Sequence, residues 1–283
     1  MCLAESLQLP VPKNLLQNIP GLDGSPQPVL INLDELLNQI SSGALDPEEY
    51  LAPVELATYQ QFKYQKRKIE WLGGRLAAKQ SVLNLKGQKQ STAVMREWVI
   101  LANEHGKPYY KNFKNDQPSL SISHSHGLAL AIAVNEKECG LDIQKVSEAT
   151  IRVKEKFCTE IEEEILSCLR LPDKTELGRL PAQTNLIPLK GVLKRVPSSG
   201  GDWAEPVRCS NRATGPTLLW SAKEALRKAR GSHPLTGFLA MQLIEVEQPD
   251  SNCWIFKLRV NNEKYLVSTS IKNDFALALS VIY

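Results

Sequence analysis

One stretch of this chain occurs twice. Ser121-Ile-Ser-His-Ser-His-Gly-Leu-Ala-Leu-Ala-Ile-Ala-Val134 lies without gaps on Ser268-Thr-Ser-Ile-Lys-Asn-Asp-Phe-Ala-Leu-Ala-Leu-Ser-Val281. The two are identical at serines 121/268 and 123/270, alanines 129/276 and 131/278, leucines 130/277 and valines 134/281. Each copy has the alternation and the polar turn of a β-hairpin. A lone hairpin is barely stable in water, so each needs a helix or further strands to cover its apolar face. Each half carries a helix-forming segment with an Ala-Lys pair ahead of its strands, Ala78-Lys79 and Ala222-Lys223. Shared alanine and leucine content is the competing explanation. Internal duplication accounts for more, and predicts an α+β protein of two similar helix-plus-antiparallel-sheet halves. If they are related by a pseudo-twofold, a site at their seam draws residues from both.

The rest of the chain fits this plan. Residues 1–28 are rich in Pro, Gly, Asn and Gln and read as an irregular lead-in, followed by a first half over 29–143 and a second over 144–283. Apolar spacing predicts a long helix within Pro53–Leu85, one over Ile151–Arg170 and one over Leu218–Arg230, the last closed by Gly231. Strand patterns fall at Trp98–Leu101, Leu120–Ser123, Leu128–Val134, Cys139–Ile143, Leu239–Val246, Trp254–Val260 and Tyr265–Ile282. Within the second half, Leu171–Thr217 reads as a long loop, serving a function or disordered.

Bulk properties exclude several function classes. A net charge of +3 is too small to indicate a nucleic-acid partner. The basic run Lys63-Tyr64-Gln65-Lys66-Arg67-Lys68 lacks a recognition motif and reads as a solvated helix face. No apolar stretch reaches the roughly eighteen residues that span a bilayer. The N-terminal residues lack a basic segment followed by an apolar core, so no secretion signal is expected there. Cysteines 2, 139, 158, 168, 209 and 253 form no Cys-x-x-Cys pair, which argues against zinc and for reduced thiols in a cytoplasmic protein. No Gly-x-x-x-x-Gly-Lys-Ser/Thr loop supports a nucleotide-dependent kinase.

Two segments carry the chemistry. Asp142 sits in the apolar run Cys139-Gly140-Leu141-Asp142-Ile143, where an unpaired carboxylate is costly to bury. Glu224 and Lys228, one helical turn apart, share a face. Alone they are an ordinary solvated pair, worth a few tenths of a kcal/mol. Brought to Asp142 by folding, they form two carboxylates and a lysine able to hold a hard divalent cation against a phosphate. Gly106-Lys107-Pro108 adds a rigid turn with one cation, and Ser123 and His124 add a hydroxyl and an imidazole at a strand end.

In this order, Gly-Lys-Pro, Ser-x-Ser-His, Gly-x-Asp-x-x and Trp-Ser-x-Lys-Glu-Ala-x-x-Lys, the sequence resembles the 4'-phosphopantetheinyl transferase superfamily in its longer, pseudo-dimeric Sfp-type branch. The resemblance runs from about Pro53 onward. It implies an active site in the cleft between the halves, coenzyme A as co-substrate, Mg²⁺ as cofactor, and an apo acyl- or peptidyl-carrier protein as partner of a monomeric enzyme. It further implies Asp142 and Glu224 as metal ligands, with Gln144 standing where the family's Gly-x-Asp-x-Glu has its second acid. Glu224 is also the implied base, Lys228 the cation on the pyrophosphate, and Lys223 its assistant. His124, with Ser123 before it, would meet the 3'-phosphate of coenzyme A. Lys107 would lie along the nucleotide, and Arg75 and Lys79 would reach the adenosine phosphates. Val54-Glu55-Leu56-Ala57-Thr58 lacks the basic residues that some relatives carry there. Because Gln144 removes one charge, a non-catalytic coenzyme A- or carrier-binding relative of the same fold is the alternative.

Overall fold

The computed structural model describes residues 5–17, 19, 22, 26–88, 91–111, 117–169, 211–231 and 236–282. In chain order its elements begin with β1 (Gln8–Leu9), α1 (Asn14–Gln17), β2 (Val29–Asn32), α2 (Leu33–Ser41), α3 (Pro47–Tyr50), α4 (Pro53–Gln61), α5 (Gln65–Leu85) and α6 (Thr92–Glu97). There follow β3 (Ile100–Ala102), β4 (Pro108–Tyr110), β5 (Ser119–Ser125), β6 (Leu128–Val134) and β7 (Glu138–Lys145). The second part contains α7 (Glu148–Arg152), α8 (Glu160–Ser167), α9 (Asn211–Arg230), β8 (Gln242–Asp250), β9 (Cys253–Val260), β10 (Glu263–Lys272) and β11 (Phe275–Ile282).

Two antiparallel sheets result, ordered β1-β2-β6-β5 and β7-β11-β10-β9-β8, with β3-β4 as a separate hairpin. The duplication read in the sequence reappears as register. Ser121 and Ser123 face Ile132 and Leu130 across the first hairpin. Their counterparts Ser268 and Ser270 face Leu279 and Leu277 across the second. The third strand repeats too: Leu30 opposes Leu130, as Ile143 opposes Leu277. Helix α5 packs on β6 and β2, and α9 on β11 and β7. The fold is therefore α+β, two helix-on-sheet units of one plan related by a pseudo-twofold.

Three apolar cores hold it together. One lies between α5 and the first sheet, around Leu72, Leu76, Val82 and Ala131. The second lies between α9 and the second sheet, around Leu218, Leu226, Trp254 and Phe256. The third joins the units, with Leu130 and Ile132 from one sheet against Leu141, Ile143, Leu277 and Leu279 from the other. Burying such a side chain contributes about 1.5–3 kcal/mol. Where β5 meets β7, no backbone ladder forms. Instead the hydroxyls of Ser119, Ser121, Ser123 and Ser125 accept the N–H groups of Cys139, Leu141, Ile143 and Lys145, at 3.1, 2.8, 3.3 and 3.2 Å. Period-two serines on an edge strand supply what a pleated neighbour would supply with carbonyls.

The structure corrects several expectations. The helix within Pro53–Leu85 is two helices, α4 and α5, because Phe62 and Tyr64 take extended backbone angles. Ile151–Arg170 is not one helix but α7, a short turn and α8, restarted where the Thr159 hydroxyl and Glu162 carboxylate cap each other's backbone N–H groups. The loop expected to Thr217 ends earlier, since α9 begins at Asn211; residues 170–210 lie outside the described residues. The lead-in is not wholly irregular. Gln8–Leu9 pair with β2, and Leu15 and Ile19 enter the core between the units. Strand β7 spans the division drawn at 143/144, and all of it pairs with β11.

Candidate active site

The site forms where α9 crosses β7. Alternation puts Gly140, Asp142 and Gln144 on the face of β7 toward that helix. At Gly140 the approach is extreme: a Cβ there would lie 1.8 Å from the Ala225 carbonyl oxygen and 2.4 Å from the Ala229 nitrogen. Only glycine allows it. The closeness brings Lys228 to the strand, where its Nζ donates to the Leu141 carbonyl at 2.9 Å and to Asp142 Oδ1 at 2.8 Å. The Ser123 hydroxyl, crossing from β5, donates to the same Oδ1 at 2.8 Å. Asp142 is only 6% exposed, and its Oδ2 is buried without a hydrogen-bond partner among the described residues.

Glu224, one turn before Lys228, is half-buried and held by Arg227, whose Nη2 donates to both carboxylate oxygens at 2.9 and 3.1 Å. Burial pushes its pKa above the ordinary carboxylate value and Asp142 adds to this, while Lys228 and Arg227 oppose it. A cavity of about 170 Å³ opens beside these groups, lined by Glu224, Arg227, Lys228, Lys107, His105 and Ile122 among others. Lys107 reaches it from the β3–β4 hairpin. The Asn103 side chain fixes that turn by accepting the N–H groups of His105 and Lys107, and Gly106 takes φ +80°. Lys107 Nζ is engaged by Glu138 at 2.5 Å.

His124 points the other way from Ser123, toward the start of α5. Its Nε2 lies 3.4 Å from Arg67 Nη1, and its Nδ1 3.9 Å from Glu70 Oε2. Because a guanidinium can only donate, this arrangement leaves the proton of a neutral imidazole on Nδ1. Burial holds the His124 pKa below the usual histidine value; Arg67 and Lys228 press in the same direction, against Glu70 and Asp142.

Two of three further basic residues expected at phosphates are placed elsewhere. Lys79 and Lys223 are both fully buried, each bound to a glutamate and a backbone carbonyl. Neither has a face toward the cleft, so both leave the ligand set. Arg75 stacks 4.6 Å from the Trp71 ring, with Glu55 as its opposing charge, and burial lowers its pKa to about 10. Arg227, Arg67 and Glu70 were missed. Arg227 follows Glu224 at a salt-bridging interval; the other two lie far from His124 in sequence and have no such signal.

Among the described residues no cluster of three or more His, Cys, Asp or Glu side chains could hold a metal. What exists is two carboxylates on facing elements and the half-buried Gln144 amide. The unpartnered Oδ2 of Asp142 and the all-oxygen donor set fit a hard cation that keeps several waters, such as Mg²⁺.

No protein-family model matches the chain. Among curated proteins it is 39% identical over 89 residues to the holo-[acyl-carrier-protein] synthase of Lacticaseibacillus casei, 31% of this chain and 71% of that protein. It is 40% identical over 92 residues to the holo-[acyl-carrier-protein] synthase of Lactococcus lactis subsp. lactis, 32% of this chain and 77% of that one. This chain belongs to the holo-[acyl-carrier-protein] synthase family. Its length of 283 residues, with two units, fits the Sfp-type branch of the 4'-phosphopantetheinyl transferases. Two solved holo-[acyl-carrier-protein] synthases also align. That of Bacillus anthracis, in complex with CoA (3',5'-ADP), is 24% identical with a TM-score of 0.35, over 39% of this chain and 94% of that one. That of Neisseria meningitidis is 23% identical with a TM-score of 0.35, over 40% and 98%.

Proposed function

We propose that this chain transfers the 4'-phosphopantetheine moiety of coenzyme A to a serine of an apo acyl- or peptidyl-carrier protein, giving holo-carrier and adenosine 3',5'-bisphosphate. The observation that carries the reading is the meeting of Asp142 with Glu224 and Lys228 across Gly140, in a member of this family. The test is a panel of apo-carriers incubated with coenzyme A and Mg²⁺ and weighed by mass spectrometry for the added arm. No carrier gaining the arm overturns the reading in favour of a non-catalytic, coenzyme A- or carrier-binding relative.

In this mechanism Glu224 takes the proton from the carrier serine as its Oγ attacks the β-phosphorus. The bond to the nucleotide phosphate breaks, and the electron pair leaves on that oxygen. Burial raises the pKa of Glu224, which strengthens the carboxylate as a proton acceptor. Lys228, anchored on Asp142 and the Leu141 carbonyl, meets the charge on the leaving phosphate. Asp142 through Oδ2, Glu224 and Gln144 would hold Mg²⁺, which supplies charge neutralisation at the pyrophosphate. Lys107 borders the same cavity and would meet the nucleotide once freed from Glu138. Ser123 orients Asp142 through its hydroxyl. The proposal includes a monomer working in the cytoplasm; no helix among the described residues is long and apolar enough to cross a membrane.

Two substitutions probe the ligand assignments. His124→Ala is expected to weaken coenzyme A binding about tenfold while leaving dephospho-coenzyme A nearly unaffected, since only the former carries the 3'-phosphate and a charge-assisted hydrogen bond is worth about 1.5–3 kcal/mol. Titration calorimetry with both ligands decides it, and equal losses remove His124 from that contact. Because the His124 pKa lies low, the preference for coenzyme A should grow as pH falls through it and the imidazole charges. Gln144→Glu is expected to lower the Mg²⁺ concentration that supports half-maximal transfer, because an added carboxylate strengthens attraction to a hard dication. An unchanged Mg²⁺ requirement places residue 144 away from the ion.

A further inference from the structure

Two buried ion pairs repeat the duplication in three dimensions, and the mechanism above uses neither. In the first unit, Lys79 Nζ donates to Glu55 Oε2 at 2.6 Å and to the Tyr50 carbonyl at 2.8 Å. Glu55 also accepts the N–H groups of Ala52 and Ile100, both at 3.0 Å. In the second unit, Lys223 Nζ donates to Glu162 Oε1 and to the Phe157 carbonyl, both at 2.7 Å. Glu162 also accepts the N–H groups of Thr159 at 2.8 Å and Leu243 at 2.7 Å. Each carboxylate thus ties three elements together: a short helix at its start (α4 or α8), the following strand (β3 or β8) and the long helix (α5 or α9).

The two clamps differ in what comes next. After Lys79 comes Gln80, whose amide donates to Asn84 one turn on. After Lys223 comes Glu224, with Lys228 one turn on. The strands differ in the same way: Asp142 on β7 opposes Ala278, while the equivalent place on β2, opposing Ala131, is held by Val29. The first unit keeps the clamp with the uncharged Gln80, Asn84 and Val29 at the matching places. In the second, α9 is held on one face by Lys223 and by Trp220, whose ring meets Phe157 edge-on at 5.0 Å. On the face toward β7 it is held by Lys228.

We propose that Lys223 and Glu162 are positioning residues of the transfer reaction: their buried pair sets the rotation of α9, and so aims Glu224 and Lys228 at Asp142. The proposal rests on the transferase reading. It gives Lys223 a role in geometry where a lysine beside Glu224 would otherwise be assigned to phosphate.

The twin clamp supplies a matched control. In the intact chain, the double variants Lys223→Met with Glu162→Gln and Lys79→Met with Glu55→Gln each remove one buried charge pair and keep an acceptor for the strand N–H. Both should lower Tm to a similar degree. The first-unit variant should retain kcat within about twofold. The second-unit variant should lose about tenfold or more in kcat with the KM for coenzyme A within about threefold, since small misplacements cost rate more than binding. Unimpaired kcat in the second-unit variant, or equal losses in both, overturns the proposal. So does a large rise in KM with kcat kept, which would mark Lys223 as a phosphate ligand. Should the second-unit double variant fail to fold, Glu162→Gln against Glu55→Gln makes the same comparison at about twofold to fivefold, and equal effects again overturn it. Coenzyme A affinity, measured by calorimetry without carrier, separates the two readings. Absent binding and transfer in the unaltered chain strikes at the transferase reading, whereas intact binding with lowered kcat in the variant alone is the positioning signature.

Discussion

Glu224→Gln should cut the transfer rate by about 10²–10⁴-fold, the range that a positioned general base supplies, with the fold intact. The swap keeps size and hydrogen-bonding capacity and removes only charge. Its lost partner is the partly exposed Arg227, and such a pair contributes little to stability, about 0–1 kcal/mol. Steady-state kinetics with circular dichroism on the same sample separates chemistry from folding. A variant turning over at near-normal rate removes Glu224 as both base and metal ligand. The pH profile carries the sign. Burial raises the pKa of Glu224, so the basic form is lost as pH falls through that raised value, and the rate should fall with it. The limb belonging to Glu224 should be missing in the glutamine variant.

The second large effect concerns backbone. Gly140→Ala places a methyl 1.8 Å from the Ala225 carbonyl oxygen and 2.4 Å from the Ala229 nitrogen, two main-chain atoms of α9 that cannot rotate aside. The helix has to lift from β7, at a cost of about 3 kcal/mol, the upper part of the usual range for overpacking. Lifting it also draws Glu224 and Lys228 away from Asp142, and a shift of about 1 Å can cost 10²-fold in rate. Both Tm and kcat should drop. Gly74→Ala on α5 is the milder comparison, because the obstructing atom, Ile122 Cγ2 at 2.8 Å, belongs to a side chain that can turn. Wild-type stability in Gly140→Ala would contradict the close crossing.

Much of this was legible in the sequence, and the exceptions follow a rule. The hairpins, the duplication, and the pairing of Asp142 with the Glu224–Lys228 face depend on periodicity and on motifs that a linear reading preserves. The burial of Lys79 and Lys223 is not legible there, because distant partners decide it. Nothing near Lys79 announces Glu55, and nothing near Lys223 announces Glu162, so the sequence presents each lysine as a free cation. Arg67 and Glu70 escaped for the same reason: they reach His124 only because α5 crosses the end of β5. The break of the first long helix and the short helices after β7 were lost to local backbone angles and a cap, which apolar spacing does not report.

The pairing of β7 with β11 bears on the order in which this chain can assemble. All of residues 146–274 lie between the two strands. The first unit can close its sheet from β2, β5 and β6 soon after they leave the ribosome, because those strands are near neighbours in sequence. Strand β7, which carries Asp142, must wait for the latest of the described strands before its backbone finds a partner. Contacts of such separation form slowly, since a long loop has to close first. On the other edge of β7 the N–H groups of Leu141, Ile143 and Lys145 bind the serine hydroxyls of β5 and need no later strand. Those hydroxyls can hold the nascent strand against the finished unit and cover that edge, while the edge that awaits β11 stays open to pairing with another chain. Catalytic competence is then the last property the molecule acquires, arriving together with its final hairpin.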